Sequence, residues 1–267
     1  MTIPTNPFKQ ALAEGRLQIG FWQSLATTIT AEISAHAGFD WLLLDGEHGV
    51  NHLISIRDQL QVIDPSPSQA VVRIASVDVV QVKQVMDAGA QTVLVPIVNT
   101  AADAELMARA MRYPPEGIRG NGAGVARVSG YGRNPDYLKG ANDAACLLVQ
   151  VETRQALDNL DAIAATDGVD GVFIGPADLA TSLGHHGNPG HPEVQSAIES
   201  AIKRILAAGK APGILIGDET LARRYIELGA LFVAVGSDVS VLVNGTSALA
   251  ARYKGKTSTT KPGTAVY

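Results

Sequence analysis

The sequence has very little cysteine: one residue, Cys146, in 267. One thiol excludes an internal disulfide and a thiolate metal cluster. Cys146 sits in the apolar run 144–149 with no base beside it in sequence, which marks a buried small hydrophobe rather than a nucleophile. Aromatic residues make up 5%, the formal net charge is −5, and no lysine/arginine stripe with interleaved aromatics is present. That argues against a nucleic-acid surface and for small-molecule partners. There is no uncharged apolar stretch of about 18 residues, so no membrane span is expected. The segment Met1–Gln10 is polar and lacks the apolar core of a signal peptide, which points to a cytoplasmic location.

What is present is an apolar-rich chain, 46% hydrophobic, with 27 glycines and 13 prolines, well outside the disordered class. Eight short apolar runs stand out: Leu17–Trp22, Phe39–Asp45, Ala70–Ala75, Gln91–Ile97, Ala145–Val151, Gly171–Ile174, Ala211–Ile216 and Leu231–Val235. Several are nearly continuous in hydrophobicity, as in parallel strands covered on both faces. Helical patterns lie between them, at 28–37, 52–63, 78–88, 101–112, 153–165, 192–209, 219–228 and 238–254. Asp78, His191-Pro192-Glu193 and Asp218-Glu219 supply helix starts, and Gly38, Gly89, Gly209 and Gly229 supply stops. This rhythm predicts a (β/α)8 TIM barrel over 1–254 with a tail at 255–267; a doubly wound open sheet is the alternative. The glycine-rich segment 113–137 breaks the rhythm and reads as functional or interfacial. Its Gly120-Asn121-Gly122-Ala123-Gly124 follows no strand and has no ribose-binding acid after it, so it is not read as a dinucleotide loop.

Polar residues collect at the carboxyl ends of the strand-like runs, where a barrel carries its chemistry. Glu152 and Asp178 close consecutive strands, which lie about 4.8 Å apart, so they can share one octahedral cation such as Mg2+ or Mn2+. The plainer alternative is that both cap helices. His48, in the acid-rich turn Asp45-Gly46-Glu47-His48, is a candidate general base, and Asp87 could raise its basicity if the fold brings the two together. Arg73, the arginine inside a strand run, needs an anion; substrate carboxylate or enolate contact is favoured over a structural ion pair. Gln150 points to the same side of its strand as Glu152. Pro176 opens a helix whose first amides, at Ala177 and Asp178, suit a carboxylate. After strands seven and eight, Gly217-Asp218 and Gly236-Ser237-Asp238 offer no phosphate cradle. None of the eight lysines lies in a strand run or at its carboxyl end, so a Schiff base lacks its amine.

Four segments together resemble the metal-dependent pyruvate aldolases of the HpcH/HpaI family: 39–48, 112–120, Gln150-Val151-Glu152-Thr153-Arg154 and 171–179. The resemblance runs from about Phe8 to about Arg252. It implies Glu152 and Asp178 as ligands of a divalent cation (Mg2+, Mn2+ or Co2+), His48 as base, Asp87 raising its pKa, and Arg73 stabilising the transition state. Gln150 and the backbone at Ala177 and Asp178 hold substrate. It further implies a last helix swapped between subunits, a homohexamer built as a trimer of dimers, and a role for 113–137 in that assembly. The implied reaction is cleavage of a 4-hydroxy-2-oxo acid, 4-hydroxy-2-oxoheptanedioate in particular, to pyruvate and succinic semialdehyde. Oxaloacetate decarboxylation and hydroxypyruvate aldol chemistry are the alternatives within the same site; a non-catalytic binding protein is the alternative outside it.

Overall fold

The computed structural model describes residues 3–255. The strands are β1 (Gln18–Gln23), β2 (Trp41–Asp45), β3 (Gln69–Arg73), β4 (Thr92–Val95), β5 (Cys146–Val151), β6 (Val169–Ile174), β7 (Ala211–Leu215) and β8 (Phe232–Ser237). They pair in chain order, all parallel, and β8 closes on β1 to form the expected barrel rather than an open sheet. Helices α1 (Pro7–Ala13), α2 (Thr28–Ala35), α3 (Leu53–Ile63), α4 (Val79–Asp87), α5 (Ala101–Met111) and α6 (Tyr137–Ala144) belong to the first half. The second half holds α7 (Arg154–Asp158), α8 (Leu160–Ala165), α9 (Pro176–Ser182), α10 (Pro192–Ala207), α11 (Glu219–Glu227) and α12 (Asp238–Lys254).

Continuous apolar strands follow from double coverage: on β2, Leu42 and Leu44 pack outward against the helices, while Trp41 and Leu43 fill the interior. Cys146 is fully buried among those interior side chains, and burial pushes its thiol well up. Gly38, Gly89, Gly209 and Gly229 all adopt positive φ at the helix ends where they were expected. Asp78 caps α4 through the amides of Val80 and Gln81, and Asp218 caps α11 through Leu221.

The helix pattern over 153–165 breaks in two at Asn159, whose side-chain amide donates to the Asn99 carbonyl instead of extending the helix. Helices α1 and α6 were not expected. In α1, Asn6 caps through the Lys9 amide and Pro7 starts the turn, so Phe8 plugs the amino end of the barrel, 5.8 Å from the Trp41 ring and 6.0 Å from Phe232. Segment 113–137 carries a short 3-10 turn at Arg127–Ser129 and buries Arg119 against the Tyr113 ring.

The last helix packs poorly on its own barrel. Of the 17 residues of α12 only Asp238 is buried, and Val241, Leu242, Val243, Leu249 and Tyr253 are exposed. Between β1, β7, β8 and α11 a groove of about 690 Å³ is open, its floor formed by Leu17, Ile19, Ile216 and Val235 and its wall by Glu219, Arg223 and Glu227 of α11. The expected tail falls almost wholly on 256–267, outside the described residues.

Candidate active site

At the carboxyl ends of β2 and β3, Asp45 is a fully buried carboxylate that accepts five hydrogen bonds. Arg73 supplies two of them, Nε to Oδ1 at 2.9 Å and NH2 to Oδ2 at 2.8 Å. Parallel pairing sets Asp45 directly beside Arg73, so the fork forms without distortion. The others come from the Trp22 indole at 3.1 Å and the amides of Glu47 and His48 at 3.0 and 3.2 Å. Burial acts to raise the Asp45 carboxyl, but the Arg73 hydrogen bonds and charge outweigh it and hold the group below its usual range.

The third guanidinium nitrogen, Arg73 NH1, stands 2.8 Å from Glu47 Oε2, and Glu47 Oε1 lies 3.8 Å from His48 Nε2. Burial pushes the Glu47 carboxyl up. His48 itself is 55% exposed, with its backbone tied to Asp45 and its ring open to the mouth. Arg73 is therefore in an ion pair, the arrangement placed second from sequence. The reason is that a guanidinium only 5% exposed requires a permanent counter-charge.

The negative charges of Asp178 and Glu47 both act on the buried Glu152 carboxyl from nearby, each adding to the cost of ionising it. Glu152 is buried; burial above all pushes its carboxyl up to about 7. Its Oε1 accepts the Ile97 amide at 2.9 Å, and its Oε2 accepts from the Gln150 side chain, which shares its side of the strand. Gln150 Oε1 is buried without a hydrogen-bond partner. Gly175 is required here, because a Cβ at that position would strike the Glu152 carboxylate and lie 2.9 Å from Glu152 Cβ. Pro176 opens α9, leaving the first-turn amides of Ala177 and Asp178 without helical acceptors. A buried carboxylate beside an exposed one, with no nitrogen or sulfur donor in the pair, fits a hard divalent cation.

Asp87 is not near His48 within one chain. It ends α4, a nine-residue helix that runs about 13 Å away from the mouth, and its carboxylate takes Arg119 NH2 at 2.6 Å. Lys9 and Lys210 bond carbonyls at the opposite end of the barrel, those of Ala145 and Val169. Asp45, Glu47, Trp22 and the Ile97 amide have no role that is apparent from sequence alone. The turn Asp45-Gly46-Glu47-His48 carried a signal for the first two. Ile97 carried none, since its φ of 51° appears only in the fold. A β-branched residue held there is strained, and the strain aims its amide at Glu152.

This geometry has counterparts. The HpcH/HpaI aldolase/citrate lyase family model matches residues 18–245. The chain is 59% identical to the 4-hydroxy-2-oxo-heptane-1,7-dioate aldolase of Klebsiella pneumoniae over 96% of both chains. It is 56% identical to the hydroxypyruvate/pyruvate aldolase of Pseudomonas aeruginosa over the full length of both. In three dimensions it resembles the crystal structure of an HpcH/HpaI aldolase/citrate lyase family protein from Burkholderia cenocepacia, with a TM-score of 0.90 and 40% identity over 94% of this chain and all of that one. An aldolase needs a group to draw electrons from a carbonyl and a base to take a hydroxyl proton, and the strand ends gather residues of both kinds; the chain belongs to the HpcH/HpaI aldolase/citrate lyase family of carbon–carbon lyases.

Proposed function

We propose that this enzyme is a divalent-cation-dependent aldolase that reversibly cleaves 4-hydroxy-2-oxo acids to pyruvate and an aldehyde, with 4-hydroxy-2-oxoheptanedioate and succinic semialdehyde as the leading pair. The observation that carries the reading is the meeting, at one barrel mouth, of the Glu152/Asp178 carboxylates with a fixed guanidinium and an open imidazole. Glu152 and Asp178 are the ligands, and Mg2+, Mn2+ or Co2+ suits them. Such a cation, when bound, polarises the 2-oxo group as a Lewis acid.

The amides of Ala177 and Asp178 and the Gln150 side chain hold the substrate carboxylate and 2-oxo oxygen. His48, directly or through a water, takes the 4-hydroxyl proton. The O–H electron pair then forms the aldehyde carbonyl, the C3–C4 bond breaks, and its electrons pass through C3 onto the 2-oxo oxygen. Arg73 faces that developing charge with a guanidinium whose orientation Asp45 has already fixed, so little reorganisation accompanies the step. Return of a proton to C3 yields pyruvate. The full-length likeness to a hydroxypyruvate/pyruvate aldolase supports hydroxypyruvate as a second carbon nucleophile for the reverse reaction.

The enzyme works as a homo-oligomer, a hexamer arranged as a trimer of dimers. Support comes from the apolar side chains of α12, which its own barrel leaves bare, and from the open groove between β1, β7, β8 and α11. It also comes from Asp87: since it is remote from His48 in its own chain, it raises the basicity of that imidazole only from a neighbouring copy, with segment 113–137 beside it in the interface. No helix among the described residues is long and apolar enough to cross a membrane, in keeping with a cytoplasmic enzyme.

The test is steady-state cleavage of 4-hydroxy-2-oxoheptanedioate before and after exhaustive chelation. Activity is expected to vanish and to return with Mg2+, Mn2+ or Co2+. Cleavage that survives chelation sinks the reading.

A further inference from the structure

Beyond the mouth, where the connection from α9 enters α10, His185, His191 and Glu193 gather, and the reaction uses none of them. His185 Nε2 lies 2.8 Å from Glu193 Oε2, the His185 and His191 rings stack with centroids 3.6 Å apart, and the possible ligand atoms all fall within 4.8 Å of one another. We propose that these three side chains form a second metal site, for a borderline transition ion such as Zn2+ or Ni2+, separate from Glu152 and Asp178.

The donor chemistry distinguishes the two sites. Two imidazoles and one carboxylate are the ligands of zinc-like ions, whereas an all-oxygen pair suits Mg2+ or Mn2+. Glu193 is ionised, its carboxyl held below the usual range first by the His185 hydrogen bond. Tetrahedral ligands about 2.1 Å from an ion stand about 3.4 Å apart, so the His185–Glu193 pair, now at 2.8 Å, opens by about 0.6 Å to admit one. The ion takes the place of the hydrogen that the pair now shares.

The backbone already holds the ligands in place. His191 Nδ1 caps α10 by accepting the Glu193 amide at 3.2 Å, and on ligation the ring exchanges that cap for the ion. The His185 amide bonds the Ala180 carbonyl of α9 at 2.7 Å. The rings lie 15° from parallel, so one must turn about Cβ–Cγ to aim both lone pairs at one point; that torsion is soft. Arg154 NH2, 3.7 Å from Glu193 Oε1 and 59% exposed, is the resident competitor, and such an exposed pair is weak. An ion at this site fastens α10 to the turn that follows α9, the helix carrying Asp178.

The test titrates metal-free full-length enzyme with Zn2+ alone by calorimetry. Wild type is expected to bind at two sites, E152A/D178A to keep the rim site, and His185→Gln to lose it. Losing a direct ligand should weaken the rim site by at least the about tenfold that loss of a supporting partner brings. His191→Asn, which retains a helix cap, is expected to weaken it likewise. Cu2+ added to E152A/D178A should show imidazole nitrogen couplings by electron paramagnetic resonance, and these should vanish with His185→Gln. Turnover of His185→Gln in saturating Mg2+ is expected to match wild type, which keeps this result independent of the mouth chemistry. The inference is overturned if E152A/D178A takes up no Zn2+, or if His185→Gln leaves two sites intact.

Discussion

Asp45 clasps Arg73 along one whole edge of the guanidinium, at 2.9 and 2.8 Å, and by the same carboxylate anchors the amides of the His48 turn. One buried acid thus sets the position of both the proposed transition-state cation and the proposed base. Arg73→Lys keeps the charge but cannot make the fork. It is expected to lower kcat by about 10²–10³, the loss typical of one preorganised donor, with a smaller change in KM. Asp45→Asn leaves the guanidinium buried and under-paired, and should also destabilise the fold by about 3–5 kcal/mol. Steady-state kinetics and thermal unfolding of both variants check this; an unchanged kcat in Arg73→Lys would falsify the role of Arg73.

His48→Ala is expected to reduce aldol cleavage by about 10²–10⁴, the range for a lost general base. Oxaloacetate decarboxylation has no 4-hydroxyl proton to remove, so the same variant should retain most of that activity. Equal losses in both reactions would show that His48 does something other than take this proton.

Burial sets the Glu152 carboxyl at about 7, above its ordinary 4.5. Between those values the metal-free folded enzyme holds a proton that the unfolded chain has released, so its stability falls as pH rises through the window. Cation uptake needs the carboxylate, so Mn2+ affinity should rise about tenfold per pH unit and level off near neutrality. Unfolding curves with and without Mn2+, compared with Glu152→Gln, read both effects. A wild type whose metal-free stability tracks that of Glu152→Gln at every pH contradicts the assignment.

If Asp87 serves the His48 of a neighbour, His48→Ala and Asp87→Asn are defective in different copies of a shared site. Unfolded together and refolded, the two inactive variants should regain activity, because some mouths then receive both native residues. Failure to regain any, with mixed oligomers demonstrated by mass, argues that Asp87 acts only within its own chain. Deleting 238–254 should correspondingly reduce the particle mass measured by light scattering.

The strands were legible because parallel strands buried on both faces are continuous apolar runs, and the carboxyl end of β5 could be read to the residue. The Gln150–Glu152 relationship was equally legible, since residues two apart share a side of a strand. The Asp45–Arg73 clasp was not, because it depends on the register between β2 and β3, which no local pattern encodes. Helix α1 is too short for a periodicity of its own, and its role as a plug depends on Trp41 and Phe232, which are distant in sequence. The separation of Asp87 from His48 follows from its place at the far end of α4, which the helix pattern over 78–88 in a barrel already implied; its partner Arg119 did not show in the pattern.

The aromatic floor laid by Phe8, Trp41 and Phe232 makes this barrel a vessel with one door. Whatever binds deepest must enter first and leave last. In the proposed binding mode the 2-oxo acid half sits against Glu152 and Gln150, so the aldehyde would have to depart before pyruvate can, and in the synthetic direction pyruvate would precede its acceptor. Product-inhibition kinetics should show pyruvate competing with the cleavage substrate and the aldehyde not competing. Both products competing alike would mean that traffic through the mouth has no fixed order.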